Sequence, residues 1–384
     1  MHVALVEPAY YSRYPPLGLL KLATYHKLRG DSVELVKGEA ETQSPPDLVC
    51  VTSLFTYAWK PVHLAVRTHK KRYPNAKVIL GGIYASLLPH HARKSGADRI
   101  RVGTMPEAEN LLPDYSLVPR WNGSIVFASR GCIRRCGFCA VPRLEGRLNS
   151  LKSTIRPFIY PKHSKVILWD NNSLAASNWN HIVEELLELD LTVDFNQGLD
   201  ARLVTPTVAR QISSLKTEVI RLAYDHHGSS AYVERAIRLL HEAGVRRRKI
   251  VVYTLYNYLD SPGDFLQRVR DILHWGAVSY PMRFEPLDSL RKNTYVSPKW
   301  TRGLLEMVAD ARRVLGTHGA FPPYEALKHK FEDSADFKEA FALRPPSKPL
   351  RKNFLRSAQL TKQRAQLRVM TPMMEKTLCI NAHA

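Results

Sequence analysis

The sequence predicts an α/β protein built on parallel sheets, and three observations carry that assignment. Short apolar runs alternate with amphipathic helical stretches over residues 1–118, and the same alternation resumes from Ser124 to about Pro323. Between the two lies a Pro- and Gly-punctuated join, Leu112 to Gly123. At 384 residues the chain is long enough for two ordinary domains and an extension. The expected divisions are 1–118, 119–325 and a C-terminal extension over 326–384.

In the first division the strands are His2 to Glu7, Ser32 to Val36, Leu48 to Thr52, Lys77 to Leu80 and Arg99 to Val102. Between them, Leu17 to Arg29 and Val62 to Tyr73 keep apolar residues at helical spacing, and Gly30 stops the first helix as a C-terminal cap does. The pattern is that of a doubly wound parallel sheet, in which ligands sit beyond the carboxyl ends of the strands. Here those ends are the loops Glu7 to Pro16, Ser53 to Trp59, Gly81 to Ser86 and Gly103 to Glu109. In the second division Ser124 to Ser129 reads as a strand, followed by strand Lys165 to Trp169, helix Trp179 to Leu189 and strand Thr192 to Phe195. Helix Pro206 to Ser214, strand Glu218 to Ala223, helix Ser230 to Ala243, strand Lys249 to Leu255, helix Pro262 to His274 and strand Val278 to Arg283 complete it. From about Tyr324 the character changes, and Arg344 to Arg368 carries eight Arg or Lys and no Asp or Glu, which reads as a mobile basic tail.

The formal charge is +21, from 56 Lys plus Arg against 35 Asp plus Glu. That balance favours anionic partners, nucleic acid through the basic tail among them, although a solvated basic surface accounts for scattered charge equally well. No apolar run approaches the 18 or more residues of a membrane helix, and the first residues run into a strand with no leader pattern, so a cytoplasmic protein without membrane contact is expected.

Five cysteines occur, and three of them, Cys132, Cys136 and Cys139, stand at C-x-x-x-C-x-x-C spacing in the segment 131–139. Thiolates are soft ligands, and three on so short a loop can hold three irons of a 4Fe-4S cube while the fourth iron keeps an open position. A structural zinc site is the plainer alternative, but it takes four ligands, and the next candidate, His163, lies 24 residues beyond Cys139. Gly131 and Gly137 would allow the unusual backbone angles of a loop that wraps a cluster. Cys50, in an apolar run, is expected to be a buried strand residue. Three thiolates leave too few for a second cluster.

C-x-x-x-C-x-aromatic-C after a strand, with Phe138 in the aromatic slot, resembles the signature of the radical S-adenosylmethionine (SAM) superfamily. The resemblance implies a 4Fe-4S cluster on the three cysteines, SAM chelated to the open iron, its cleavage to a 5'-deoxyadenosyl radical on reduction by an external donor such as flavodoxin or ferredoxin, and a partial (β/α)6 barrel, whose reactive groups line its C-terminal face. It also points to Asp170 and Asn171 after the second barrel strand as acceptors for the SAM amino group, with helix capping or a turn as the competing role. The third strand ends in a polar run at the same face, where Gln197, Asp200 and Arg202 are candidates. Arg202 would pair with the SAM carboxylate and Asp200 accept from a ribose hydroxyl, unless the two form a structural pair. Tyr253, near the end of the fifth strand, is a candidate for adenine or substrate contact, as are Asp225 and the histidines beside it, and Pro281 to Leu287 for a substrate-facing wall.

The first division resembles the cobalamin-binding domain that precedes many radical SAM cores: Pro16-Leu17-Gly18, Ser53 and Leu54 after the third strand, Gly81 and Gly82 after the fourth. It lacks the D-x-H-x-x-G segment that supplies a histidine to cobalt, so it either binds cobalamin without that ligand or has kept the fold and lost the cofactor, its glycines then serving as turns. The expected function is radical SAM chemistry, methylation of a small or nucleotide-like substrate if cobalamin is present, hydrogen abstraction followed by oxidation or isomerisation if it is absent. A basic nucleic-acid-binding protein with a structural metal loop is the rival of another class.

Overall fold

The computed structural model describes residues 1–315 and 324–342, so the basic run 344–368 lies outside the described residues. Met1–Phe341 form one compact unit, and of the second, Ala342–Ala384, only Ala342 is described.

The chain opens with β1 (His2–Glu7), α1 (Leu17–Lys27), β2 (Ser32–Lys37), β3 (Leu48–Val51), α2 (Trp59–Arg72), β4 (Lys77–Leu80), the short helices α3 (Ile83–Leu87) and α4 (Pro89–Arg93), β5 (Arg99–Ile100) and α5 (Pro106–Glu109). The strands form one parallel sheet in the order β2-β1-β3-β4-β5. Val3, Ala4, Leu5 and Val6 are fully buried because both faces of β1 are covered, which is why it reads as an unbroken apolar run. On one face Leu19 and Ala23 of α1 pack with Val3, Leu5 and Cys50, the last buried as expected. On the other, Val62 and Val66 of α2 and Tyr84 of α3 cover Val6, Val49 and Val78. Strand order reverses between β2 and β3 on either side of β1, the switch point at which doubly wound sheets open a crevice.

Two boundaries differ from expectation. Helix α2 starts at Trp59, ahead of Pro61, because proline in a first turn lacks only an N–H that has no intrahelical acceptor there. Strand β5 keeps only Arg99 and Ile100 in register, opposite Ile79 and Leu80 of β4.

The second part contains β6 (Ser124–Val126), β7 (Ser129–Arg130), α6 (Val141–Leu144), β8 (Asn149–Ser150), β9 (Lys165–Leu168), α7 (Trp179–Leu189), β10 (Thr192–Phe195) and α8 (Pro206–Ser214). It continues with β11 (Ile220–Ala223), α9 (Ser230–Glu242), β12 (Ile250–Tyr256), α10 (Pro262–His274), β13 (Val278–Arg283) and α11 (Arg302–Leu315). Strands β6, β9 and β10 form one parallel ladder and β11, β12 and β13 another, joined by parallel bridges Val193 to Thr217 and Leu199 to Leu222. Six parallel strands in chain order with helices outside make the expected partial (β/α)6 barrel. The expected strand Ser124 to Ser129 is cut short, and Ser129–Arg130 pair antiparallel with Asn149–Ser150. Helices α12 (Tyr324–Asp333) and α13 (Phe337–Phe341) pack Leu327, Phe331, Phe337 and Phe341 against Phe265 and Val269 of α10, so residues 326–341 add to the barrel's outer layer.

Candidate active site

The carboxyl ends of β6, β9, β10 and β11 converge on the loop that carries the three cysteines. Gly131 opens it at φ +78°, and a Cβ there would lie 2.2 Å from the Arg147 carbonyl oxygen, so only glycine lets the two backbones approach. Gly137 has no positive φ, contrary to the expectation of an unusual backbone angle; a Cβ on it would sit 2.6 Å from the Tyr258 hydroxyl, so a larger residue would displace that side chain. The ring of Phe138 packs edge-on against Tyr258, centroids 5.6 Å apart.

All three thiols are partly exposed. Burial pushes the Cys136 thiol up, and the negative charge of Cys139 and then of Asp225 adds to it; burial likewise raises Cys139, with Cys132 and Asp225 contributing. Donors already point at one of the sulfurs: the Arg134 backbone N–H lies 3.3 Å and Asn172 Nδ2 3.6 Å from Cys132 Sγ. Among the described residues no three His, Cys, Asp or Glu side chains converge on a single-ion site.

A charged network clamps this loop to the first sheet. Arg130 directs Nε and Nη2 at Glu109 Oε1 (2.9 and 2.7 Å) and Nη1 at Glu145 Oε1 (2.9 Å), with its guanidinium over the Phe127 ring. Glu145 also accepts from the Gly131 N–H and from Asn171 Nδ2, both at 2.9 Å. Burial would raise the Glu109 carboxyl, but Arg130 and Lys21 hold it below the usual range.

Asp170, expected as an acceptor for the SAM amino group or as a cap, is engaged by the protein's own donors. It is 3% exposed, and its carboxylate accepts from the backbone N–H groups of Ala128 and Ser129 and from the Ser129 hydroxyl. Those bonds draw residues 128–129 off the ladder, which is why β6 ends early, and they leave Asp170 as the bracket for the cysteine loop. Asn171 is engaged by Glu145. The neighbouring Asn172, which sequence reasoning did not single out, instead reaches both Cys132 and Asp200.

Asp200 and Arg202 form the bidentate pair weighed as the alternative: Arg202 Nε to Oδ1 at 2.7 Å and Nη2 to Oδ2 at 3.1 Å, with Arg134 Nε on Oδ2 at 3.1 Å. Burial would raise the Asp200 carboxyl, but Arg202 and Arg134 hold it below its ordinary range. Arg202 Nη1 bonds to no described residue and lies close enough to Cys136 and Asp225 to feel both charges. Asp225 is pushed up to about 6 by burial, against the pull of Arg268. Gln197 is exposed, and its side-chain amide donates to Asn196 Oδ1 (3.4 Å). Tyr253 lies inside the barrel with Tyr280 (centroids 5.5 Å) and Arg221.

The loop Glu7 to Pro16 sends Tyr14 into the barrel, where its ring meets Trp169 at 5.2 Å and its hydroxyl accepts from Asn196 Nδ2. The Pro281 to Leu287 segment leads back to the first sheet: Thr56 Oγ1 donates to Ser289 O (2.7 Å) and Trp59 Nε1 to Leu290 O (3.2 Å).

In the first sheet, Ser53 Oγ donates to Gly81 O (2.7 Å) and accepts from Ala85 N (3.2 Å), and Gly82, at φ +100°, has its Cβ direction only 2.3 Å from Ser53 O. Ser53 and Gly82 therefore pin two loops together. Beside them, on the α1 face, opens a mostly apolar groove of 410 Å³ lined by Leu22, Tyr25, Cys50, Ile79 and Gly81, with Arg101 and Arg130 also on its wall. Leu54 and Ser53 do not line it. Arg101 Nε is buried there without a hydrogen-bond partner.

No family model and no curated protein matches the chain. Among solved structures, that of the radical S-adenosylmethionine methyltransferase TsrM from Kitasatospora setae, with cobalamin and a [4Fe-4S] cluster bound, matches with a TM-score of 0.57. Identity is 15%, over 73% of this chain and 72% of that one. The two share a fold. A galactofuranose binding protein aligned at a TM-score of 0.18 and 10% identity, over 82% of this chain and 99% of that one, carries no such likeness.

Proposed function

We propose that the chain is a radical SAM enzyme and that a cobalamin-dependent methyl transfer is its reaction. The observation that carries the first part is the cysteine loop itself: three partly exposed thiols at the carboxyl end of the first strand of a six-stranded partial barrel. Cys132, Cys136 and Cys139 fit a 4Fe-4S cube, whose thiolates sit on separate irons and need not converge on one point, and two N–H donors already face Cys132. When bound, the cluster supplies the electron that cleaves SAM. The chain's own part is to hold and orient. Asp200 fixes Arg202 by one edge of its guanidinium, which leaves Nη1 to bind the SAM carboxylate, and Asn172 bridges Cys132 and Asp200.

The groove beside Gly81 supports the second part. Its apolar wall suits a flat aromatic group such as the nucleotide tail of cobalamin, and the orphaned Arg101 Nε is a donor awaiting an acceptor. The loop Glu7 to Pro16 contains no histidine, so cobalt would have no such ligand from it. Hydrogen abstraction without cobalamin remains the second reading.

The experiment is anaerobic reconstitution. About one 4Fe-4S cluster per chain by iron and sulfide analysis, lost in Cys136→Ala, and 5'-deoxyadenosine or methylated product from SAM with dithionite or flavodoxin are expected. Stoichiometric zinc without iron, or a full cluster in Cys136→Ala, refutes the reading. Failure to retain cobalamin removes the methyl-transfer part alone.

A further inference from the structure

The barrel has a second opening, at the amino ends of its strands, opposite the cysteine loop. A cavity of 1100 Å³ occupies it, lined by Lys165 and Thr192 at the starts of β9 and β10, by residues just ahead of β11 and β12, and by Arg13 and Tyr14 from the first sheet's loop. Seven cationic side chains line this cavity against two acids, Asp194 and Glu218.

Four of the cations are accounted for. Lys165 pairs with Glu218 (2.6 Å), Arg221 with Asp194, and Arg247 with Glu325 (2.8 Å), while Lys249 donates to the Thr217 carbonyl (2.7 Å). Arg13, Arg246 and Arg248 remain, all exposed, and their guanidinium groups form no hydrogen bond or ion pair with any described residue. Arg13 lies over the Tyr14 ring at 5.8 Å, and Arg246 and Arg248 have no partner among the described residues, so three like charges gather at one cavity with little to offset their repulsion. Tyr14 and Trp121 give the cavity aromatic walls.

We infer that this amino-terminal mouth is a binding site for a phosphate-bearing ligand. Guanidinium forks match phosphate oxygens bidentately, and the volume admits a nucleotide-sized group. The same chemistry is presented by a free phosphorylated metabolite and by a strand of RNA. The site is separate from the cysteine loop and its existence does not depend on the radical SAM reading.

The test uses the full chain and two probes: inorganic pyrophosphate by titration calorimetry, and a short fluorescein-labelled single-stranded RNA by anisotropy. The wild type is compared with the double variant Arg246→Ala/Arg248→Ala and with the corresponding double Lys variant, thermal unfolding confirming that each stays folded. Because all carry the same C-terminal residues, binding by the basic tail cancels. We expect the Ala variant to bind at least one probe about tenfold or more weakly, with a salt slope for RNA lower by about 1.5, and the Lys variant to recover part of the loss. Loss with pyrophosphate identifies a small ligand, and loss confined to RNA identifies a nucleic-acid strand. Equal affinities for wild type and Ala variant in both arms, or no binding of either probe, overturns the inference.

Discussion

The closest backbone approach in the cysteine loop gives the sharpest test of how that loop is built. In Gly131→Ala the new methyl would lie 2.2 Å from the Arg147 carbonyl oxygen, where ordinary contact begins at 3.4 Å, so one strand of the loop must retreat by more than 1 Å. Retreat breaks the Gly131 N–H bond to the Glu145 carboxylate. That bond is charge-assisted and worth about 1.5–3 kcal/mol, and a side chain at φ +78° adds about 1–2 kcal/mol. Gly146→Ala is the matched control: it has φ +76° and nothing within 4 Å of its Cβ position, so it bears the φ cost alone. The contact term therefore separates as the difference, about 1.5–3 kcal/mol, or roughly 10- to 150-fold in local opening. Hydrogen exchange followed by mass spectrometry over residues 127–147 should show that ratio between the two variants of the apoprotein. Reconstituted Gly131→Ala should hold much less iron and sulfide than Gly146→Ala. Exchange rates within about threefold of each other and equal iron contents would refute the argument that close approach is what the loop requires.

Arg268, fully buried, donates to the Tyr224 and Leu255 carbonyls and pairs with Asp260 at 2.6 Å; Arg268→Ala should cost about 3–5 kcal/mol in denaturant unfolding by stranding that carboxylate. Burial lowers His63 to about 4, with help from His91, so the unfolded chain takes up a proton below pH 6.5 that the native state refuses until about pH 4. Stability should fall by about 2 kcal/mol from this group between pH 7 and 5, and His63→Gln should remove that slope; an unchanged acid slope contradicts the assignment. Arg202→Ala should weaken SAM binding to the reconstituted protein by roughly 10- to 150-fold, since one charge-assisted contact is lost, and unchanged affinity would leave Arg202 as a partner of Asp200 alone.

Periodicity located the strands and helices because a parallel sheet covered on both faces needs unbroken apolar strands, and Val3 to Val6 or Val166 to Leu168 are short runs bounded by polar residues. It misjudged ends where a side chain captures backbone, as Asp170 does at residues 128 and 129. Spacing alone marked the cysteine loop, since local ligands on one segment stay together whatever the rest of the chain does. Ser53 and Gly82 stood out in the sequence only as part of a resemblance or as turn residues, and that they pin two loops together was not legible, since they lie on different strands' ends.

What surrounds the loop was not legible. Glu109, Arg130 and Glu145 are polar residues of kinds that occur throughout the chain, and Tyr14 lies 182 positions before the Asn196 it bonds. The same holds for Arg13, which lines one cavity with Arg246 and Arg248 only because the first sheet's loop reaches the barrel mouth. A sequence determines which residues repeat at the period of a strand or a helix and which ligands stand side by side, because those are local properties of the chain. Which charges face one another across two sheets, and which are left without a partner, depends on long-range packing, and only the tertiary structure decided it.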